Sequence, residues 1–272
     1  MRALGENHVR KLEPGRREHI PEERRRMIAQ LLQERGSITV ATVEECFGVS
    51  PMTARRDLVL LAQEGRARRT HGGAMLPELA AHEDSFDHRL ELYRDAKARI
   101  GATAAGFLKP GETVFVDSST TAYRAIEAAL ARRLPLTILT NSLPVMTLIG
   151  AVGPHVQLVG LGGSFRVLTR SFVGSDTVRA IEGYFADRLL FAVKGVSEDG
   201  HLTDADPLEA DVKRAMIGRA RSVVFLATED KFSATALSSV ARVDQLDIAV
   251  LCDPPPSAAR LFDAHGVRVQ RV

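Results

Sequence analysis

The chain has 272 residues, of which 45% are hydrophobic and 26% are charged, with 36 Lys and Arg against 34 Asp and Glu. This composition is ordinary for a soluble globular protein with one large domain or two modest ones. The most apolar stretch, 134–153, is interrupted by Asn141 and Pro144, which excludes a membrane span. Because Cys46 and Cys252 stand alone in apolar settings, we expect two buried free thiols in a reducing cytoplasm, and neither a disulfide nor a metal site.

Positive charge is concentrated near the start of the chain. Residues 1–75 contain 14 Lys and Arg against 10 Asp and Glu, whereas the remainder contains 22 against 24. This asymmetry suggests local contact with a polyanion, although a solvated basic tail would give the same count. Residues 1–20 lack the apolar core of a signal peptide and contain the breaker Pro14-Gly15, so we predict a disordered arm on a cytoplasmic protein.

Three short helices are predicted after the arm. The first begins at Pro21 and is stopped by Gly36, and Thr39 can cap the second. Ser50 and Pro51 are a helix-start pair, because Ser accepts an N-cap hydrogen bond and the missing N–H of Pro costs nothing at the first helical position. The predicted helices are Pro21–Arg35, Val40–Phe47 and Pro51–Glu64.

The third helix and the basic hairpin that follows it, 66–73, have the pattern of a DNA-reading module. Ala54 and Leu58 belong to the buried face of the helix, so the polar side chains of its first turns point outward, where a helix-turn-helix enters the major groove. Arg binds guanine edges, Ser and Thr bind phosphates or bases, and Arg residues on a wing add phosphate contacts. The predicted DNA contacts are Ser50, Met52, Thr53, Arg55, Arg56, Arg66, Arg68, Arg69 and His71.

A simpler interpretation of Arg55 and Arg56 is a solvated helix face whose charge is balanced by Asp57. For an isolated pair of arginines that interpretation would be preferred. Here the pair follows a capped helix start and a short turn and precedes a basic hairpin, and this combination favours DNA binding.

From Ala96 onward, apolar strands alternate with amphipathic helices, which predicts a mostly parallel sheet covered on both faces and joined by right-handed crossovers. The predicted strands are Thr113–Asp117, Leu136–Thr140, Val156–Leu161, Arg188–Val193, Val223–Thr228 and Ile248–Asp253. The predicted helices lie near 97–108, 120–132, 142–150, 175–184 and 207–220. The predicted domains are a disordered arm at 1–20, a winged helix-turn-helix at 21–76, a linker at 77–96 and an effector-sensing and oligomerisation domain at 97–272.

Hydroxyl and glycine residues follow three predicted strands at their carboxyl ends, the edge where open α/β sheets gather ligands. A strand–loop–helix with small hydroxyl side chains can cradle a phosphate, because backbone N–H groups and the helix dipole supply positive potential. Helix capping alone would explain the same residue types, and the first loop lacks a Walker-type Lys. The predicted effector contacts in these loops are Asp117, Ser118, Ser119, Thr120, Thr121, Thr140, Asn141, Ser142, Gly162, Gly163 and Arg166.

Four charged residues complete the predicted effector site. Glu209 and Lys213 are spaced i, i+4 on a predicted helix, where they either pair on an exposed face or bind a ligand. Lys231 follows a strand and either serves a sugar phosphate or is a surface charge. Lys194 ends an apolar strand, so its side chain lines a site or snorkels outward.

The helix-turn-helix residues resemble those of the DeoR family of bacterial transcription regulators. The family pattern stands here as Ser50, Thr53 and Arg55-Arg56-Asp57-Leu58, and the wing signature as Arg68-Arg69-Thr70-His71-Gly72-Gly73-Ala74. Residues 97–253 resemble the effector domain of that family, which is related in fold to ribose-5-phosphate isomerase. The matching stretches are Asp117–Thr121, Thr140–Ser142, Gly162–Arg166, Ser171–Gly174, Gly195–Ser197, Glu209–Met216 and Lys231-Phe232.

The resemblance implies an α/β fold in which an N-terminal winged helix-turn-helix joins a mostly parallel α/β effector domain. It also implies a pocket for a phosphorylated sugar or a related metabolite. The chain departs from the family pattern at Ala54, Ser119, Lys194 and Thr228. Ser119 replaces a usual glycine, and a residue with a Cβ resists positive φ at that point of the loop.

We therefore predict a transcription regulator, a repressor of carbohydrate-metabolism genes that is modulated by a phosphorylated sugar. Its predicted partners are double-stranded operator DNA, the sugar phosphate and further copies of the chain in a dimer or tetramer. No cofactor, metal, catalytic residue or membrane contact is predicted. One alternative is a sugar-phosphate isomerase-like enzyme with Glu209 as general base. The isomerase should have acidic residues in the stretch 192–197, and the absence of a carboxylate pair there counts against this alternative. Another is a DNA-binding protein whose larger domain serves only oligomerisation.

Overall fold

The computed structural model describes residues 21–35, 37–69, 73–75, 85–151 and 155–272. The chain forms two compact units, Met1–Pro77 and Glu78–Val272. The predicted disordered arm, 1–20, and residues 77–84 of the predicted linker lie outside the described residues. In the described ranges, no helix has the length and apolar character needed to cross a membrane.

The smaller unit contains helices α1 (Pro21–Arg35), α2 (Val40–Phe47) and α3 (Pro51–Gln63). The hydroxyl of Thr39 accepts a hydrogen bond from the Thr42 amide at 3.0 Å, and that of Ser50 accepts one from the Thr53 amide at 3.3 Å. These bonds confirm the two predicted N-caps. Helix α2 ends at Gly48, whose φ of 62° is readily adopted by a residue without a Cβ.

The predicted two-stranded wing is part of a three-stranded antiparallel sheet. Its central strand β3 (Gly73–Met75) pairs with both β1 (Ser37–Thr39) and β2 (Arg68–Arg69). Strand β1 is not predicted from the sequence, because so short a segment shows no recognisable alternation. A Cβ at Gly73 would lie 2.0 Å from the Ile38 carbonyl oxygen, so glycine is required for this strand pair.

Cys252 is buried as predicted, whereas the prediction of a buried Cys46 is wrong. Helix α2 turns Val43 into the core, and Phe47, four residues later, continues the same stripe. An amphipathic helix of only 8 residues has one narrow buried stripe, so Cys46 beside it faces solvent.

The larger unit is built on a seven-stranded sheet. Its strands are β4 (Thr113–Val116), β5 (Leu136–Thr140), β6 (Val156–Gly160), β9 (Ala186–Phe191), β12 (Ala220–Ala227), β14 (Ile248–Leu251) and β15 (Arg268–Arg271). Their order is β15-β14-β12-β9-β4-β5-β6, and every neighbouring pair is parallel, which confirms the predicted sheet. The chain runs outward from β4 on one side and from β9 on the other, so the strand order reverses between them.

Helices cover both faces of this sheet. The helices of the larger unit are α4 (Phe86–Glu91), α5 (Arg94–Gly106), α6 (Thr120–Ala131), α7 (Leu143–Gly150), α8 (Ser175–Glu182), α9 (Pro207–Ile217) and α10 (Pro256–Ala264). Helices α5 to α7 bury residues such as Ile100 and Ile126 on one face, and α8 to α10 bury Ile181 and Phe262 on the other. A Cβ at Gly101 would lie 2.7 Å from the Arg124 backbone, so this glycine lets α5 and α6 approach closely.

Short antiparallel elements that the sequence does not predict complete the larger unit. They are the hairpin of β7 (Ser164–Arg166) and β8 (Ser171–Val173), and the sheet of β10 (Gly195–Val196), β11 (His201–Asp204) and β13 (Ser238–Arg242). Helix α4 falls in the predicted linker, yet residues 85–96 belong to the larger unit. The buried Phe86 ring contacts the Tyr123 ring edge-on at 5.8 Å, and its amide donates to the Leu168 carbonyl at 2.9 Å.

Candidate functional site

Helix α3 presents a basic outward face. Its inner residues Ala54, Leu58 and Leu61 are fully buried, which fixes the rotation of the helix. Arg55 and Arg56 are therefore exposed. On the same outward side Met52 is 74% exposed, and the Thr53 hydroxyl lies 3.0 Å from that of Ser50. This is the side of a helix-turn-helix that can read base edges.

Asp57 does not balance the two arginines. It is buried on the inner side of α3, where one carboxylate oxygen accepts a hydrogen bond from Arg24 Nε at 2.6 Å and the other lies 3.9 Å from Arg25 Nη1. The pair ties α1 to α3. Among the described side chains, Arg55 and Arg56 form no ion pair, so their charge stays available to an external anion.

The wing supports α3 directly. Arg69 Nη1 donates a hydrogen bond to the Arg55 carbonyl at 3.1 Å, and partial burial together with the Arg55 charge lowers the pKa of Arg69. Arg66 Nη1 lies 3.6 Å from the Glu64 carboxylate. Arg68 pairs through its backbone with Met75, and the predicted contact His71 lies outside the described residues.

The second group of predicted residues lies at the carboxyl edge of the parallel sheet. The loop 117–121 follows β4, and Ala192 follows β9, so both lie where the strand order reverses. Open α/β sheets bind ligands in the crevice at this position. The two sides are joined by hydrogen bonds, because the Asp117 carboxylate accepts from the Ala192 amide at 3.3 Å.

Glu209 on α9 is the centre of a buried polar network at this edge. Its carboxylate accepts hydrogen bonds from Ser118 Oγ at 2.9 Å, Ser171 Oγ at 2.5 Å and Arg166 Nη1 at 3.1 Å. Arg166 also lies 3.1 Å from the Asp206 carboxylate. Burial alone would raise the pKa of Glu209, but the positive charges nearby, Arg166 foremost, hold it below its ordinary value.

Lys213, one turn further along α9, has partners of its own. Its ammonium donates to the Ala192 carbonyl at 2.8 Å, lies 3.3 Å from the Asp117 carboxylate and forms an ion pair with Asp204. Burial alone would lower the pKa of Lys213, but the negative charges of these two partners raise it above its ordinary value. The alternative of a Glu209–Lys213 pair on an exposed face is therefore wrong, because α9 turns both side chains inward.

The hydroxyl loops cap helices, as one of the two interpretations expects. Ser119 Oγ accepts from the Ala122 amide at 3.2 Å, and Ser142 Oγ accepts from the Val145 amide at 3.5 Å. Ser119 has a φ of −75°, so its Cβ causes no strain where the family has glycine.

Thr140 and Asn141 lie at the same edge of the sheet, but their hydrogen-bonding groups are not equally satisfied. Thr140 Oγ1 donates to the Val116 carbonyl at 2.8 Å, and Asn141 Nδ2 donates to the Phe172 carbonyl at 2.9 Å. Asn141 Oδ1 is buried and has no hydrogen-bond donor within the described ranges. A ligand hydroxyl could supply one, whereas capping does not account for this atom.

Four further predicted residues lie away from this network. Gly162 and Gly163 are exposed, and a Cβ at Gly163 would lie 2.1 Å from Thr177 Oγ1, so the glycine allows the loop to close on α8. Lys194 is half-buried directly before the start of β10, where its amide donates to the Thr203 carbonyl at 3.0 Å. Lys231 lies in the 3-10 helix Glu229–Ser233, 3.0 Å from Asp230.

Sequence reasoning missed Lys97. It lies on α5 with only 4% of its surface exposed, and its ammonium donates to the Arg89 carbonyl and, at 2.7 Å, to that of Leu92. Burial and the charge of Lys231 lower the pKa of Lys97 to about 8. The available signal was its spacing, since Lys97 stands three and four residues before the buried Ile100 and Gly101.

Both units match family models. Residues 24–79 match the DeoR-like helix-turn-helix domain, and residues 93–251 match the DeoR C terminal sensor domain. The chain is 31% identical over 249 residues to the HTH-type transcriptional repressor GlcR of Bacillus subtilis (strain 168), covering 91% of this chain and 95% of the relative. It is 30% identical to the Glycerol-3-phosphate regulon repressor of Escherichia coli (strain K12), covering 89% and 96%.

Solved structures with a similar chain path are more distant. Ribose 5-phosphate isomerase A from Methanocaldococcus jannaschii has a TM-score of 0.39 and 17% identity, covering 51% of this chain and 54% of that one. A chain of the tetrameric eIF2B-beta2-delta2 complex from C. thermophilum has a TM-score of 0.44 and 14% identity, covering 90% and 88%.

Proposed function

Because the chain belongs to the DeoR family of DNA-binding transcription regulators, we propose that it represses genes of carbohydrate metabolism until a phosphorylated sugar binds its larger unit. The observation that carries the proposal is the orientation of α3. Arg55 and Arg56 project outward without a described acidic partner, while Asp57 turns inward to Arg24.

On the DNA side, the first turns of α3 contact the operator. Arg55 and Arg56 read base edges or grip phosphates, and Ser50, Met52 and Thr53 flank them. Arg66 and Arg68 on the wing add contacts to the DNA backbone, which steepen the salt dependence of binding. Two or more copies of the chain present paired α3 helices to a repeated or palindromic operator.

On the effector side, the sugar phosphate lies at the carboxyl edge between β4 and β9. The supporting observations are the strand reversal, the hydroxyl loop 117–121 and the Oδ1 of Asn141, to which no described residue donates a hydrogen bond. Effector and operator are coupled only if the effector binds the DNA-releasing state more tightly than the DNA-bound state.

An isomerase activity is less well supported. Its general base would be Glu209, and that carboxylate already accepts hydrogen bonds from Arg166, Ser118 and Ser171. A base held in this way at low pKa is a poor proton acceptor at neutral pH.

The test selects bound duplexes from a random DNA pool and measures their affinity at fixed salt. Arg55→Ala and Arg56→Ala should each weaken binding by about tenfold or more, the value of a good base contact. Arg260→Ala removes an equal charge from the exposed face of α10 and should leave operator affinity unchanged. Equal operator affinity of the two α3 variants and wild type would refute the assignment of this face.

A further inference from the structure

Four cations from four different elements lie together near the start of α6. They form what we name the basic cluster: Arg89 of α4, Lys97 of α5, Arg124 of α6 and Lys231 after β12. Their proximity is visible at Lys97, whose pKa is lowered first by burial and then by the charges of Lys231, Arg89 and Arg124. Such repulsion is unfavourable unless the cluster also meets an anion.

The acids that accompany the basic cluster do not balance it. Asp230 lies 3.0 Å from Lys231, and Glu127 lies 2.8 Å from Arg124 on the solvent side. Within the described ranges, the hydrogen-bond acceptors of Lys97 are all carbonyl oxygens. Four positive charges thus face two negative ones over the described residues, which leaves an excess equal to the charge of a phosphomonoester dianion.

The cluster also holds buried donors without acceptors. Nε and Nη2 of Arg89 and Nε of Arg124 are buried, and none has a hydrogen-bond partner in the part of the chain described. Buried polar groups of folded proteins are nearly always paired, so each unpaired donor calls for an explanation. Guanidinium nitrogens match phosphate oxygens in geometry and charge.

The basic cluster lies beside the amino end of α6, whose backbone N–H groups are further hydrogen-bond donors. Thr120, the first residue of α6, donates to the Arg89 carbonyl at 3.4 Å, so α4 lies beside the amino end of that helix. The 12-residue helix directs its dipole and its free N–H groups toward this end. The adjacent loop 117–121 leads to the network around Glu209, where sugar hydroxyls would find partners.

We propose that the basic cluster binds the phosphate of a phosphomonoester as its dianion. This rests on the proposed function in that the phosphate is taken to be the effector's anionic end. Of the four residues, only Lys231 is predicted from the sequence, so the cluster extends the site to α4, α5 and α6. Neutral sugars and sugar carboxylates lack the charge and the tetrahedral oxygens that the cluster requires.

The experiment uses calorimetry on the full chain with inorganic phosphate as the probe. Wild type binds phosphate, and Arg89→Gln and Arg124→Gln each weaken that binding by about tenfold to hundredfold, as expected for a lost charge-assisted bond. Arg260→Gln, an exposed charge on α10, binds phosphate as wild type does. Because the replaced Arg89 nitrogens make no described bond, the Arg89 variant keeps its fold, which circular dichroism checks.

Further arms separate the possible sources of phosphate. Glucose 6-phosphate should displace inorganic phosphate, whereas glucose should not. Absence of phosphate binding by wild type, or equal binding by folded Arg89→Gln and Arg124→Gln, would overturn the anion site. Phosphate binding that depends on the cluster but leaves operator affinity unchanged would support the anion site and contradict the proposed regulation.

Discussion

The guanidinium of Arg69 donates a hydrogen bond to the main-chain carbonyl of Arg55 at 3.1 Å, which joins strand β2 to the outward face of α3. A side chain that is engaged in this way positions the helix and has fewer donors left for DNA. The wing therefore holds α3 in position, in addition to contributing positive charge.

Replacement of Arg69 by Gln should lower operator affinity by up to about tenfold, the net value of one exposed hydrogen bond. The slope of log affinity against log salt should change little, because the lost bond is internal. Arg55→Gln should instead reduce the slope by about one if the residue contacts a phosphate. Affinity measured across a salt series distinguishes the two, and a full unit of slope lost with Arg69→Gln would contradict a bracing role.

The buried Arg24–Asp57 pair should dominate the stability of the smaller unit. Asp57→Asn removes the carboxylate that lies 2.6 Å from Nε of the buried Arg24, and it should lower the free energy of unfolding by about 3–5 kcal/mol. Urea unfolding measures this, with the exposed Glu45→Gln on α2 as a control that should be nearly neutral. Replacing both partners by Met and Leu should restore most of the loss, and failure to do so would indicate another role for the pair.

Glu209 should make the larger unit sensitive to acid. Since its folded pKa is depressed, its stabilising contribution is present above the unfolded pKa of about 4.3 and is lost as pH falls through the lower folded value. Glu209→Gln should cost about 3–5 kcal/mol at neutral pH, and the difference from wild type should shrink below about pH 4. Denaturation curves at several pH values check this, with the exposed Glu182→Gln as control. A difference that persists unchanged into acid would contradict an ionised Glu209.

Lys97 should add a second rise of stability with pH, in the alkaline range. Its pKa is about 8 in the folded protein and higher when unfolded, so unfolding takes up a proton between the two values. The free energy of unfolding should therefore rise with pH above about 8, by at most about 1.4 kcal/mol per pH unit. Lys97→Met should remove this rise, whereas the exposed Lys109→Met should keep it. Thermal unfolding between pH 7 and about 10 provides the measurement. If wild type and Lys97→Met show the same dependence of stability on pH, the assignment of the rise to Lys97 is wrong.

The helices and strands could be predicted from the sequence where their signals lie within a few neighbouring residues. Ser50 and Thr39 cap helices through their own hydroxyls, and the apolar runs around Val114 and Val250 identify interior parallel strands. Strand β15 escaped prediction because its residues are polar and largely exposed at the edge of the sheet. No periodicity distinguishes such a strand from a loop.

The site could be predicted only in outline, because its contacts join distant segments. The loop after β4 is recognisable from its hydroxyl residues, but the bond from Ser118 to Glu209 spans 91 positions and depends on the strand order. The same applies to Lys97, whose partners are main-chain carbonyls that no residue type reveals. Asp57 is a third case, since sequence proximity suggested Arg55 and Arg56 while the fold supplied Arg24.

Because the strand order reverses between β4 and β9, the loops at the carboxyl edge of the sheet come from two different halves of the larger unit. The Asp117–Lys213 and Ser118–Glu209 contacts cross that division. A chimaera that joins the first half of this unit to the second half from a relative would inherit a hydroxyl loop from one parent and its buried partners from the other. Ligand preference in such hybrids would follow the match between the halves, and neither parent's half would transfer it alone.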